Sequence, residues 1–156
     1  MSESKSVQAM WEAYLHSIGE TPETTEKQYT AWYFCDNEQD ANALAELVRA
    51  GQKRATAGAL WSFEHEQEPL PQINDYSVII DWHGTAQCII RTISVDVVPF
   101  NEVTAEFAQT EGEGDGSLAY WKEVHWQFFT RELAEYGKQP EETMPVVCEE
   151  FEVVFR

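Results

Sequence analysis

The chain has 156 residues, 43% hydrophobic and 13% aromatic, enough to fill one core of ordinary size. That composition excludes collagen-like, disordered and disulfide-scaffold classes. Ten Lys and Arg stand against 28 Asp and Glu, a formal net charge of −18. This balance argues against DNA, long RNA and anionic membranes, all of which are gripped through basic side chains. A small or nearly neutral ligand remains compatible. No run approaches ~20 uninterrupted apolar residues, so no membrane span is expected. Met1-Ser2-Glu3-Ser4-Lys5 has no apolar signal core. Cys35, Cys88 and Cys148 are odd in number and without CxxC spacing, as for buried free thiols in a reducing, cytoplasmic setting.

Along the chain, Val7, Met10, Trp11, Tyr14, Leu15 and Ile18 mark one helix face. Ser4 or Ser6 is its candidate cap and Gly19 its end. Residues 20–27 read as a polar linker, so 1–28 is expected to be an N-terminal helical extension to a single domain spanning 1–156. Thr30–Cys35 reads as a strand. Asn37 is placed to cap a second helix carrying Ala41, Leu44, Leu47 and Val48, which Gly51 closes. Leu60–Glu66 predicts a helical turn. Tyr76, Val78, Ile80 and Trp82 alternate as a strand, with His83-Gly84 as a two-residue hairpin turn. Thr85–Val98 returns, its Cys88-Ile89-Ile90 run apolar on both faces and hence central. Pro99 ends that strand. A short helix is expected over 102–110, a glycine-rich acidic loop over 111–116, a long helix over 117–135 and a last strand over 146–155. The order α-β-α-β-β-α-α-β lacks regular βαβ alternation and predicts α+β with a mostly antiparallel sheet or small barrel.

Two segments carry chemistry. In Gly51-Gln-Lys53-Arg54-Ala55-Thr56-Ala57-Gly58-Ala59, small residues crowd one lysine. A desolvated lysine is a usable base or activator of a nucleophile, whereas a surface lysine in a turn is inert. Glu111-Gly-Glu113-Gly-Asp115-Gly-Ser117 alternates acids with glycine. It offers oxygens for Ca²⁺ or Mg²⁺, a helix cap at Asp115 or Ser117, or a single catalytic glutamate, but it lacks the spacing of a calcium loop. His125 lies on the apolar face of the long helix with no second histidine at i+3 or i+4, and His16, His65 and His83 are scattered. No metal or other cofactor is therefore expected.

The GQKRATAGAL stretch, DYSVII, VVPFNEVT, EGEGDGSLAYW and the closing VVCEEFEVVF together resemble the ASCH domain family over about residues 30 to 156. The resemblance implies a PUA-like fold, a small β-barrel of mostly antiparallel strands with flanking helices. It also implies a cleft handling RNA or nucleosides. A short-chain branch is similar to N4-acetylcytidine amidohydrolases, whose Lys, Thr and Glu match Lys53, Thr56 and Glu111. Where that pattern has an arginine, this chain has Gly58.

The resulting expectation is hydrolysis of the exocyclic amide of an N-acylated pyrimidine nucleoside or base. Lys53 would serve as base, Thr56 as nucleophile or positioner of water, and Glu111 as proton donor. Backbone N–H groups near Ala57 and Gly58 would hold the oxyanion, and Trp61 or Trp121 would stack on the base. Arg54, Asp115, Ser117 and His125 complete the expected lining. The alternative is a non-catalytic RNA-binding or regulatory module, or a ribonuclease, in which Lys53 and Arg54 hold phosphate. The expected partner is a nucleoside or short RNA, and a homo-oligomer is compatible with either reading.

Overall fold

The computed structural model describes residues 4–156, so the reading of Met1, Ser2 and Glu3 as free of a signal core lies outside the described residues. The elements are α1 (Lys5–Ser17), β1 (Tyr29–Trp32), α2 (Glu38–Arg49), β2 (Ala55–Ala59), α3 (Leu60–Glu66), β3 (Tyr76–Ile80), β4 (Ala86–Pro99), a 3₁₀ turn (Phe100–Glu102), α4 (Ala105–Glu111), α5 (Leu118–Ala134) and β5 (Pro145–Phe155). The strands follow the order β1-β3-β4-β5-β2. The β1–β3 pair is parallel, and β3–β4 and β2–β5 are antiparallel. Among the described residues, no helix is long and apolar enough to cross a membrane.

Two compact units share the chain. Among the described residues the first comprises 4–52, 74–92 and 151–156. Its strands bury both faces, because successive side chains point to opposite sides. Val78 and Ile89 meet Val7, Trp11, Tyr14 and Leu15 of α1. Ile79, Cys88 and Ile90 meet Phe34 and the Ala45 and Val48 stripe of α2. This explains the unbroken apolar run at 88–90. It also makes α1 a full contributor to the unit's core. Ser4 caps α1, its Oγ accepting from Val7 N–H, and Asn37 caps α2 by accepting from Asp40 N–H.

The second unit comprises residues 53–73 and 93–150. Trp121, His125, Phe129 and Leu133 repeat every four residues along α5 and are its buried stripe. The apolar members pack on Ala59, Phe100, Val103, Ala108, Met144, Val146 and Cys148.

Four local expectations shift, the first being that Ala55–Ala59, unassigned in the order expected above, forms the strand β2. The β3–β4 hairpin closes through Asp81 N–H to the Thr85 carbonyl at 3.0 Å, giving a three-residue loop, Trp82-His83-Gly84. Gly84 has φ +89°, the left-handed position that ends such a loop. The first strand stops at Trp32, and Cys35, with φ +67°, turns the chain towards α2. The helix expected over 102–110 is split. Thr104 Oγ1 accepts from Phe107 N–H at 3.1 Å and starts α4 afresh, so Glu111 becomes its last residue.

Phe129 and Leu15 are fully enclosed in the two units. Phe129→Ala is expected to cost about 3–5 kcal/mol and Leu15→Ala about 2–5 kcal/mol. Urea unfolding of each variant against the parent chain checks both values.

Candidate functional site

The ends of α4 fix the geometry of the second unit's charged cluster. Gly112, at φ +70°, ends the helix in the left-handed conformation and its N–H reaches the Ala108 carbonyl at 3.2 Å. The Thr110 carbonyl, one of the acceptors a helix C-terminus leaves unpaired, receives the Arg54 N–H at 2.9 Å. That bond holds the segment before β2 against the end of α4. Lys53 and Glu113 thereby meet, although they lie 60 positions apart in the chain.

Lys53 is 1% exposed. Its Nζ donates to the Ala55 carbonyl at 2.8 Å and to Glu113 Oε2 at 2.7 Å. The burial expected from small neighbours is present, and a carboxylate accompanies it. Glu111 is also 1% exposed, with Oε2 3.2 Å from His125 Nε2. His125 Nδ1 lies 2.8 Å from the Trp121 carbonyl. A carbonyl only accepts, so Nδ1 carries a proton and Nε2 is turned to Glu111. The Trp121 indole stacks on the imidazole, with ring centroids 4.1 Å apart and planes 15° apart. Both Glu111 carboxylate oxygens are buried without a hydrogen-bond partner, as is Trp121 Nε1, although Oε2 lies within ion-pair distance of His125.

Burial by itself would raise the Glu111 pKa and lower that of His125. At Glu111 the charge of Lys53, then that of His125, outweighs burial and holds the carboxyl below its ordinary value. At His125 the Glu111 charge outweighs burial, with help from Glu113 and the Trp121 carbonyl, and the pKa rises above 6.5. Each group thus favours the charged form of the other. Burial pushes the thiols of Cys35, Cys88 and Cys148 up to about 12, so none is an activated nucleophile.

The other expected residues divide. Thr56 is half-buried on β2, opposite Glu149 of β5. Ala57 and Ala59 belong to the packing around Trp121, so strand alternation turns Thr56 and Gly58 to the opposite face. At Gly58 a side chain would begin 3.0 Å from Phe63 Cε2, so that ring fills the place where an arginine would start. Arg54 is exposed. Trp61 is half-buried and covered by Lys138 Nζ, 5.4 Å from the ring centroid. Trp121, 2% exposed, is enclosed by His125 and Phe100 and offers no open face for stacking. Asp115 Oδ1 accepts from Ser117 N–H at 2.9 Å, and Ser117 Oγ caps α5 by accepting from Tyr120 N–H at 3.1 Å. Sequence reasoning missed Glu113 as the partner of Lys53. Its signal was the acidic loop, which does not reveal which carboxylate turns inward.

Fold and site together define an α+β protein of the PUA-like class with a buried, ion-paired cluster beneath β2. The ASCH domain family model matches residues 30–155, and the chain belongs to that family. The chain is similar to an ASCH domain from Lactobacillus crispatus JV V101, with 37% identity, a TM-score of 0.91, and coverage of 100% of this chain and 98% of that one. It is also similar to a protein from Enterococcus faecalis V583, with 36% identity, a TM-score of 0.84, and coverage of 97% and 89%. No curated protein matches the chain.

The raised pKa of His125 gives a signed pH effect. Its ion pair stabilises the fold fully below about pH 6.5, the unfolded value, and that stability is lost as pH rises through the higher folded value. The lowered Glu111 acts oppositely: its contribution is present above about pH 4.3 and lost as pH falls through the folded value. The stability advantage of the parent chain over His125→Gln is expected to be largest near pH 5–6. It should shrink on the alkaline side, as read from urea midpoints across the pH range.

Proposed function

We propose that the protein hydrolyses the exocyclic amide of an N-acylated pyrimidine nucleoside or base, of the N4-acetylcytidine kind, at the Lys53–Glu111 cluster. The observation that carries this reading is a buried carboxylate with a free oxygen, beside a buried lysine that has its own proton acceptor. Positioned groups of this kind can take and give protons at a reacting centre. Lys53, whose Nζ is held by the Ala55 carbonyl at 2.8 Å and Glu113 Oε2 at 2.7 Å, is the candidate base once it has given up its proton. It then takes a proton from the attacking oxygen, which adds to the acyl carbonyl. As the C–N bond breaks, Glu111 passes to the leaving nitrogen a proton drawn from His125 Nε2, 3.2 Å away. His125 Nδ1, held by the Trp121 carbonyl, keeps the ring oriented during that transfer.

The attacking oxygen has two candidates. A water activated by Lys53 would release the carboxylic acid directly, whereas Thr56 Oγ1, on the face of β2 turned from the Trp121 packing, would have to reach round the strand to form an acyl ester that water later clears. β2 stands at one end of the strand order, so alternate amides along Ala55–Ala59 point away from β5 and can receive an oxyanion. The RNA-binding alternative loses Lys53 as a phosphate ligand, because that lysine is spent on Ala55 and Glu113.

Cytidine release from N4-acetylcytidine, followed chromatographically, tests the proposal. Lys53→Ala and Glu111→Gln are each expected to lower the rate by about 10²–10⁴-fold. Thr56→Val abolishes turnover if the hydroxyl attacks and largely spares it if water does. No release by the parent chain, or unchanged release by the first two variants, refutes the assignment.

A further inference from the structure

Glu111, Glu113 and His125 each offer one ligand atom, and these atoms lie within 4.8 Å of one another. We propose that this triad is a binding site for a divalent transition-metal ion of the Zn²⁺ or Mn²⁺ class.

Two observations support this independently. Glu111 is 1% exposed and its Oε1 has no hydrogen-bond partner, which is costly for a buried carboxylate oxygen unless something else meets it. His125 has the second-shell arrangement of a metal-bound imidazole. Its Nδ1–H is donated to the Trp121 carbonyl at 2.8 Å, which fixes the tautomer and directs Nε2 into the cluster. The spacing also suits a metal. Glu111 Oε2 and His125 Nε2 are 3.2 Å apart, and bonds of 2.0–2.1 Å in tetrahedral geometry place neighbouring ligands about 3.3 Å apart. One imidazole and two carboxylates favour Zn²⁺ or Mn²⁺ over Ca²⁺, which takes only oxygen. Three protein ligands leave a coordination position open. The two carboxylates match the charge of the cation, and Lys53 keeps the Ala55 carbonyl as a partner. The site was not visible in the sequence because Glu111 and Glu113 come from the end of α4 and its following loop, while His125 comes from the second turn of α5.

This inference uses side chains that the proposed amide hydrolysis also uses and describes the metal-loaded form, in which the His125-to-Glu111 proton path is closed; its readout is binding, so its failure leaves that reading to the cytidine-release assay. Full-length protein stripped with a chelator is titrated with ZnCl₂ by calorimetry and with CoCl₂ by visible absorption. One equivalent of metal per chain is expected, with a Co²⁺ ligand-field spectrum that Zn²⁺ displaces. Glu113→Gln and His125→Gln should each weaken binding by at least about 10–100-fold, the loss typical even of outer-shell changes. Mn²⁺ added to ¹⁵N-labelled parent protein should broaden the amide signals of residues 111–113 and 125 first, a measurement that needs no folded variant. Absence of binding overturns the proposal. So does binding that both variants retain, or Mn²⁺ broadening spread over the acidic surface.

Discussion

The constraint on which the site depends is the burial of the Glu111 carboxylate. It is 1% exposed and terminates a helix, so it loses its water and faces the negative end of the α4 dipole. An ion taken from water into a protein interior costs several kcal/mol even after relaxation. The compensating charges are Lys53 and His125, brought from the segment before β2 and from α5. Removing one partner of such a pair costs about 3–5 kcal/mol, because the other is left charged and unpaired. The surrounding details serve that compensation. The Arg54–Thr110 backbone bond sets Lys53 against the helix end, the Thr104 cap starts α4 in the right place, and the Trp121 carbonyl orients His125.

The acidic loop illustrates how one composition can serve several ends. Glu111 and Glu113 turn inward to the cluster, while Asp115 turns out and accepts from Ser117 N–H at the start of α5. Gly114, at φ +57°, sits under the Tyr120 ring so closely that a Cβ would overlap the ring atoms. The glycines thus let a seven-residue acidic segment reverse direction and keep its outer half away from its inner half. Aromatic residues nearby are used in the same economical way. Trp121 and Phe129 flank His125 and wall the cluster from water, which strengthens every charge interaction inside it.

Much of this was legible in the sequence, for reasons that can be named. Helix faces and caps are local, so α1, α2 and α5 follow from apolar spacing and from Ser4, Asn37 and Ser117. The run Cys88-Ile89-Ile90 announces a strand buried on both faces, since α1 and α2 take alternate residues. Lys53 was singled out by its small neighbours and Glu111 by the acidic loop, both with the family resemblance, and each is buried. What stayed hidden is non-local. The Lys53–Glu113 pair spans 60 positions, and nothing in an alternating Glu-Gly run says which carboxylate points inward. His125 reads as a core histidine by periodicity, and only the position of α4 turns it into a counter-ion. Trp61 and Trp121 were expected as stacking surfaces, but periodicity cannot tell an open ring from one whose faces Lys138, His125 and Phe100 already occupy.

Local and global electrostatics differ in a way that bears on the proposed substrate. The chain as a whole carries −18, yet the cluster is balanced: with His125 protonated, Lys53 and His125 cancel Glu111 and Glu113. A phosphate approaching such a protein is opposed over about a Debye length, roughly 8 Å at physiological salt, and finds no spare cation in the cluster when it arrives. An uncharged base with one amide N–H and one carbonyl meets neither obstacle. Glu111 Oε1 accepts and Trp121 Nε1 donates, and both are buried without a partner. Glu111 Oε2 is likewise without a hydrogen-bond partner, so the region holds two acceptors and one donor. The proposed reading thus rests on a charge of −18 that opposes polynucleotides and on a cluster whose own charges balance.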